Sequence, residues 1–423
     1  MTNVTGLKCV RCQTLFSIDH YSQDCPNCRA QVRSNLVVSY DETLRVKRPK
    51  PGSASPWTLW RYGDVLPVSA AEAVSLNEGG TPLHRLDTIG EELGLTQLYG
   101  KDESRNPTWS FKDRLACLAV SAAKKMGAKT IVSSSSGNAG AAAAAYACKA
   151  KIPCVVFTFK GSSGPMLHQM RAYGAQVVAV EDKKDRWTLM EHAVRNFGWF
   201  PTSPFFGPVV GSNPFGIEGY KTLAYEIAEQ LGWRVPDWCV LPVCYGDALV
   251  GMWRGFEDMM AFGWTDRMPK FAAAEVYGSL TSALADKADG PGDMQKTHDT
   301  VAVSIGATQG TFQALDIVRR SNGTAVTASN DEMMNWQSKL AVRQGLYVEP
   351  SSAATLVAVE KMKGAGVLKS GDSVVTLLTA SGLKDTATTA KYQGEQIVLP
   401  ANLETSIRTL TERGIFPGDP SRV

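Results

Sequence analysis

Helices and strands alternate along most of this 423-residue chain, which predicts an α/β fold of two domains, with parallel-type sheets flanked by helices. Three observations carry that prediction. Short apolar, β-branched runs recur, and helical patterns separate them, as in sheets buried on both faces. The runs fall into two series, one early and one late. In front of both stand two closely spaced cysteine pairs, a pattern that belongs to a small separate module.

Residues 1–35 carry the pairs Cys9-x-x-Cys12 and Cys25-x-x-Cys28. Four thiolates at that spacing can surround one zinc ion tetrahedrally and leave no coordination position open, so Cys9, Cys12, Cys25 and Cys28 are expected to form a structural Zn2+ ribbon. Residues 36–60 read as a linker, basic and proline-containing from Val46 to Gly52. The body spans 61–400, with its smaller subdomain at about 115–225, and 401–423 is a tail that either docks as a helix or frays.

In the early series, Lys129–Ser133, Pro153–Phe159 and Gln176–Val180 read as strands. Gly137–Lys149, Pro165–Tyr173 and Trp187–Phe197 read as the helices between and after them. In the late series the strands are Trp238–Val243, Lys270–Val276, Thr324–Ala328 and Ser373–Leu378, and Ala248–Phe262 is a helix. Residues 283–303, rich in Gly, Asp and Lys, are expected as an exposed loop. The net charge of +3 is too small to point to nucleic acid or an anionic membrane. No apolar run is long enough to span a bilayer, and the N-terminus shows no apolar signal region. Nine cysteines without such a signal argue for a reducing compartment, the cytoplasm. Cys117, Cys148, Cys154, Cys239 and Cys244 sit in apolar patterns and read as small core residues.

Four motifs carry chemistry. Lys112, in Ser110-Phe-Lys-Asp-Arg114, precedes a long alanine-rich helical pattern. Ser133 to Gly140 ends a strand and opens a helix, where hydroxyls and free N–H groups can hold an anion. Alone, such a turn is more often a plain helix cap. Pro242 to Leu249 is a second strand-to-helix turn whose N–H groups can wrap a phosphate. Asp247 is awkward there unless its side chain turns away to cap the following helix. Thr379 follows a strand and offers a neutral hydroxyl. The five histidines lie outside these loops and read as ordinary polar residues.

An amine, an anion grip, a phosphate cup and a partner for a ring nitrogen are together what pyridoxal 5'-phosphate requires of a protein. The chain resembles the threonine synthase branch of the fold-type II, or tryptophan-synthase-β-like, pyridoxal phosphate enzymes. The likeness runs from the ribbon to about residue 390. It includes Leu59–Tyr62, Glu78–Leu83, Lys101–Glu103, Asn106–Arg114, Ser135–Asn138, Gly219–Thr222, Glu349–Ala354 and Leu378–Asp385, in the family's order. It implies that Lys112 is the Schiff-base lysine, that Asn138 meets the cofactor's 3'-oxygen, and that Ser135, Ser136 and Gly137 grip the substrate carboxylate. It further implies that Gly246, Asp247, Ala248 and Leu249 hold the cofactor phosphate and that Thr379 meets the ring nitrogen. An amino acid substrate, two domains that close over it, and a homodimer follow from the same likeness.

The chain departs from the family at several points. Trp109 and Leu115 stand where glycine is usual, and Gly216 stands where threonine synthases commonly have arginine. The phosphate cup from Cys244 to Ala248 is poorer in glycine. Trp109 is therefore expected to line and narrow the substrate pocket, and the loss of a cation weakens the case for O-phosphohomoserine. Three readings stand at this point. The first is a threonine synthase-like lyase, the second a β-eliminating ammonia-lyase or β-replacement enzyme for another amino acid. The third is a ribbon-based binding module on an inactive body.

Overall fold

A computed structural model describes residues 3–18, 24–50, 57–162, 164–207 and 209–417. His20, and Pro51 and Gly52 of the expected linker, lie outside the described residues. Residues up to Asp385 form one compact unit and those from Thr386 onward another.

The N-terminal module is a three-stranded antiparallel sheet, ordered β2-β1-β3, of β1 (Val4–Cys9), β2 (Leu15–Phe16) and β3 (Leu36–Tyr40). Its third strand falls in the stretch expected to be linker. The four cysteine sulfurs lie within 4.8 Å of one another. Cys9 and Cys28 are 3.9 Å apart and Cys12 and Cys25 3.5 Å. A tetrahedron with metal–sulfur bonds of about 2.3 Å has edges of about 3.8 Å, so this arrangement is compatible with a small zinc ribbon.

The other strands, in chain order, are β4 (Leu83–Arg85), β5 (Gln97–Asp102), β6 (Ile131–Ser134), β7 (Cys154–Phe159), β8 (Gln176–Val180), β9 (Phe200–Pro201), β10 (Trp238–Pro242), β11 (Lys270–Glu275), β12 (Thr324–Thr327) and β13 (Ser373–Leu378). They make two sheets. The smaller, ordered β8-β7-β6-β9, is parallel throughout. The larger, ordered β12-β11-β10-β13-β5-β4, is parallel except for the edge strand β4. Every strand expected from the two series is present. β13 pairs with β5 across more than 270 positions of sequence, Ser373 beside Gln97 and Leu378 beside Asp102.

Helix Lys112–Lys125 is buried from Asp113 through Ala123. It packs on helix Asn138–Ala150, whose alanines from 141 to 145 are all buried. Alanine suits this place because it favours helix and its small side chain lets two helices approach closely. Helix Asn138–Ala150 stops where Lys151 turns left-handed at φ 59°, two residues before Pro153.

Several expectations need correction. Cys117, Cys154 and Cys239 are buried, but Cys148 is exposed and Cys244 only partly covered. The loop expected from 283 begins inside helix Ser279–Ala285, and Pro291 and Ala302 within it are buried against the body rather than exposed. In the second unit, Leu403–Glu412 is helical, and the Asn402 side chain accepts from the Thr405 N–H at 2.8 Å to cap it. Among the described residues no helix is long and apolar enough to cross a membrane.

Candidate active site

The sequence-predicted loops converge at the C-terminal ends of the parallel strands, where open α/β sheets bind ligands. Backbone pairing sets Lys112 in place. The Phe111 N–H donates to the Thr379 carbonyl at 2.8 Å, and the Ser381 N–H donates to the Trp109 carbonyl at 3.1 Å. On the other side of this segment the Glu349 N–H donates to the Ala380 carbonyl at 3.0 Å. Lys112 therefore opens its helix directly beside the residue expected to meet a ring nitrogen. Its Nζ lies 4.5 Å from the Phe111 ring centre and 5.8 Å from that of Tyr220. Burial holds the amine's pKa below the usual lysine value, against the opposing pull of Asp247, Cys244 and Glu349. Those three groups place the second strand-to-helix turn and the start of helix Pro350–Gly364 within electrostatic reach of Lys112.

Arg114 locks the start of the helix from below. Its Nε and one terminal nitrogen donate to Glu103 at 2.7 and 2.8 Å, and its two terminal nitrogens donate to Glu226 at 2.7 and 2.8 Å. Lys101 donates to the same Glu226 at 2.7 Å. Glu226 is held at about 2, because the cations Arg114 and Lys101 outweigh its burial. Gly219 is required for this packing: a Cβ there would meet the Arg114 carbonyl oxygen at 1.9 Å.

Asn138 and Thr379 come from different sheets but share a partner. The Asn138 amide donates to Glu349 at 3.1 Å, and the Thr379 hydroxyl to the other oxygen of Glu349 at 3.5 Å. Ser351 also donates to Glu349, at 2.7 Å. Ser352 binds the Thr379 hydroxyl and accepts from its N–H, both at 2.9 Å. Burial pushes the Glu349 carboxyl up against the pull of Ser351, Asn138 and Lys384. Lys384 is itself buried; it donates to Gln169 at 2.6 Å, and its pKa falls to about 8 by desolvation. Glu349, Ser352, Lys384 and Arg114 all lie within quoted motifs, yet only the folded structure gives them these tasks.

Ser135, Ser136 and Gly137 are partly exposed at the N-terminus of helix Asn138–Ala150. The Gly137 N–H donates to the Ser135 hydroxyl at 3.2 Å. Nothing lies within 4 Å of a Cβ placed on Gly137, so space for a ligand opens there. In the second turn, Gly246 takes φ 79°, a left-handed angle that suits glycine, and helix Asp247–Ala261 starts with no side-chain cap. Asp247 does not cap its helix, contrary to expectation. Its carboxylate accepts from the Ser212 N–H at 3.0 Å and the Ser212 hydroxyl at 2.6 Å.

Trp109 stands at φ 65° and is 50% exposed. A left-handed angle costs a residue with a Cβ about 1–2 kcal/mol, which explains why glycine suits this position. Gly216 and Leu115 are coupled, since a Cβ on Gly216 would lie 2.8 Å from the Leu115 side chain. Leucine fills the space into which an arginine at 216 would begin.

The residues fit pyridoxal phosphate. Among the described residues Asn138 Oδ1, the Ser110 hydroxyl and the Tyr220 hydroxyl are buried here without a partner, and such orphans are rare unless a ligand or water serves them. Residues 74–380 match the family described as "Pyridoxal-phosphate dependent enzyme", and the chain belongs to it. It is 33% identical over 403 residues to a threonine synthase of Methanosarcina acetivorans, covering 94% of this chain and 96% of that protein. It is 30% identical over 413 residues to a threonine synthase of Methanocaldococcus jannaschii, covering 96% and 99%. With these relatives, the chain is a pyridoxal phosphate-dependent lyase of threonine synthase type. In fold it is similar to maize serine racemase, with TM-score 0.63 and 19% identity over 74% of this chain and 91% of that one.

Proposed function

We propose that the chain is a threonine synthase, converting O-phospho-L-homoserine to threonine, with Lys112 as its Schiff-base lysine and catalytic base. The convergence of Lys112, Asn138 and Thr379 beside Glu349 carries this reading. When bound, pyridoxal phosphate delocalises the charge left on Cα, so that phosphate can leave Cγ and water can add at Cβ. The protein supplies the rest. Lys112, its neutral form favoured by burial, takes the Cα proton. Ser135, Ser136 and Gly137 hold the substrate carboxylate on a helix N-terminus. Asn138 is the residue for the cofactor's 3'-oxygen, and Gly246, Asp247, Ala248 and Leu249 hold its phosphate with backbone N–H groups. The Thr379 hydroxyl meets the ring nitrogen and, being neutral, does not draw a proton onto it. Trp109, three residues before Lys112, narrows the substrate pocket. Supplying O-phospho-L-homoserine to cofactor-loaded protein should yield threonine and inorganic phosphate in equal amounts; absence of both would remove this assignment.

Leu115 in the space beside Gly216 favours a second reading, a β-eliminating ammonia-lyase or a β-replacement enzyme. A panel of β-substituted amino acids yielding 2-oxo acid and ammonia would support it, and silence across the panel would count against it. We also propose that Cys9, Cys12, Cys25 and Cys28 bind structural Zn2+, which the closeness of their sulfurs supports. Four reduced thiolates suit the cytoplasm. The homodimer is carried by family likeness and would be tested by analytical ultracentrifugation.

A further inference from the structure

Lys384 is a buried cation that the proposed chemistry leaves without a role. It is 1% exposed, and its Nζ donates to the Gln169 amide oxygen at 2.6 Å. Desolvation lowers its pKa to about 8, against the pull of Asp113 and Glu349. Both carboxylates make their bonds elsewhere. Asp113 accepts from the Thr108 N–H and hydroxyl, each at 3.0 Å, and Glu349 accepts from Asn138 and Ser351. A buried ammonium is costly to hold, and its charge-assisted bond to Gln169 is correspondingly strong and directional.

The two ends of this bond belong to the two halves of the site. Lys384 closes the one-turn helix Gly382–Lys384, which Ser381 caps by accepting from the Leu383 N–H at 3.2 Å. The Lys384 N–H donates to the Ser381 carbonyl at 3.1 Å, and the Ser381 N–H donates to Trp109, three residues before Lys112. Lys384 is thus tied to the backbone that sets Lys112 in place. Gln169 lies in helix Pro165–Ala172, which follows β7 of the smaller sheet. Its amide nitrogen donates to the Tyr173 hydroxyl at 3.2 Å, which turns the amide oxygen toward Lys384. The next residue, Met170, is fully buried. A Cβ on Gly140 would meet the Met170 methyl at 2.6 Å and the Ser135 carbonyl oxygen at 3.1 Å, so Met170 packs against the opening of helix Asn138–Ala150. Contact therefore runs from the Lys112 segment through Lys384, Gln169 and Met170 to the turn Ser135–Gly137.

We propose that Lys384 is a positioning residue: through Gln169 it fixes the turn Ser135–Gly137 relative to Lys112, so that an α-amino acid can place its carboxylate on the turn and its amine at the lysine. The inference rests on the reading of that turn as the carboxylate grip. Loss of the link weakens ligands that engage both halves of the site and spares those that engage only one.

Cofactor-loaded wild type, K384M, K384R, Q169L and the double variant K384M/Q169L would be titrated with two probes, each followed by the absorbance change of the bound cofactor. L-Alanine carries an amine and a carboxylate, and ethylamine carries the amine alone. Wild type should prefer L-alanine. K384M and Q169L should each weaken L-alanine at least about tenfold and leave ethylamine within about twofold. The double variant should lose no more than the larger single loss, because both changes remove the same bond. K384R, which keeps a charged donor, should lose less than K384M. Gln169 is only partly buried, so Q169L tests the link even where K384M fails to fold. Equal losses of both probes, or a folded Q169L with wild-type affinity for L-alanine, would overturn the inference and leave the carboxylate grip standing. A wild type that binds L-alanine no better than ethylamine would remove the grip itself, and this inference with it.

Discussion

At residue scale, Trp109 and Lys112 each carry a local cost. Trp109 keeps a left-handed backbone at φ 65° with half of its surface exposed. Replacement by glycine relieves about 1–2 kcal/mol and gives back about 0.4–1 kcal/mol through a more flexible unfolded chain. The Trp109→Gly protein should therefore unfold at an equal or slightly higher temperature while discriminating less against bulky side chains. A lower midpoint with unchanged selectivity would contradict the pocket-narrowing role. Lys112 has a pKa below its unfolded value, with burial as the first cause. A depressed lysine disfavours the folded state below the unfolded pKa, and the penalty disappears as pH rises toward that value. Cofactor-free Lys112→Met should thus be more stable than cofactor-free wild type at neutral pH, and urea titrations should show the gap narrowing as pH rises toward about 10. A constant gap would mean the amine is not desolvated.

At the scale of elements, helix Lys112–Lys125 is positioned by the fork of Arg114 on Glu103 and Glu226. Removing one partner of a buried pair costs about 3–5 kcal/mol, because the other charges stay buried. Arg114→Ala should lose about that much in equilibrium unfolding; a loss under about 1 kcal/mol would place the network in solvent. The strands of both sheets were legible because parallel strands read as continuous apolar runs. Arg114 was visible only as a motif letter, since its partners lie 11 and 112 positions away. Glu349 escaped for the same reason: its link to Asn138 spans 211 positions and arises only when the two sheets meet. The partner of Asp247 was not legible either, since Ser212, whose hydroxyl it accepts from, is 35 positions away.

At the scale of the whole molecule, the ribbon is joined to the body through its third strand. Tyr40 donates to Glu218 at 2.7 Å, and Arg254 donates to the Val38 carbonyl at 2.6 Å. The cysteine spacing pointed to a separate N-terminal module, whereas this strand was read as linker because apolar pairing with Val4–Cys9 has no local signature. A closed four-thiolate site leaves no position for substrate, so under the proposed zinc binding a chelator should lower thermal stability while cofactor-loaded turnover at low temperature persists; immediate loss of turnover in a folded protein would contradict a purely structural role. The proposed chemistry depends on one covalent link. Borohydride reduction of the cofactor-loaded protein, followed by peptide mapping, tests it most directly. The account predicts a reduced cofactor adduct on Lys112 and none in Lys112→Ala; an adduct on another lysine, or the same yield of adduct in that variant, would contradict it.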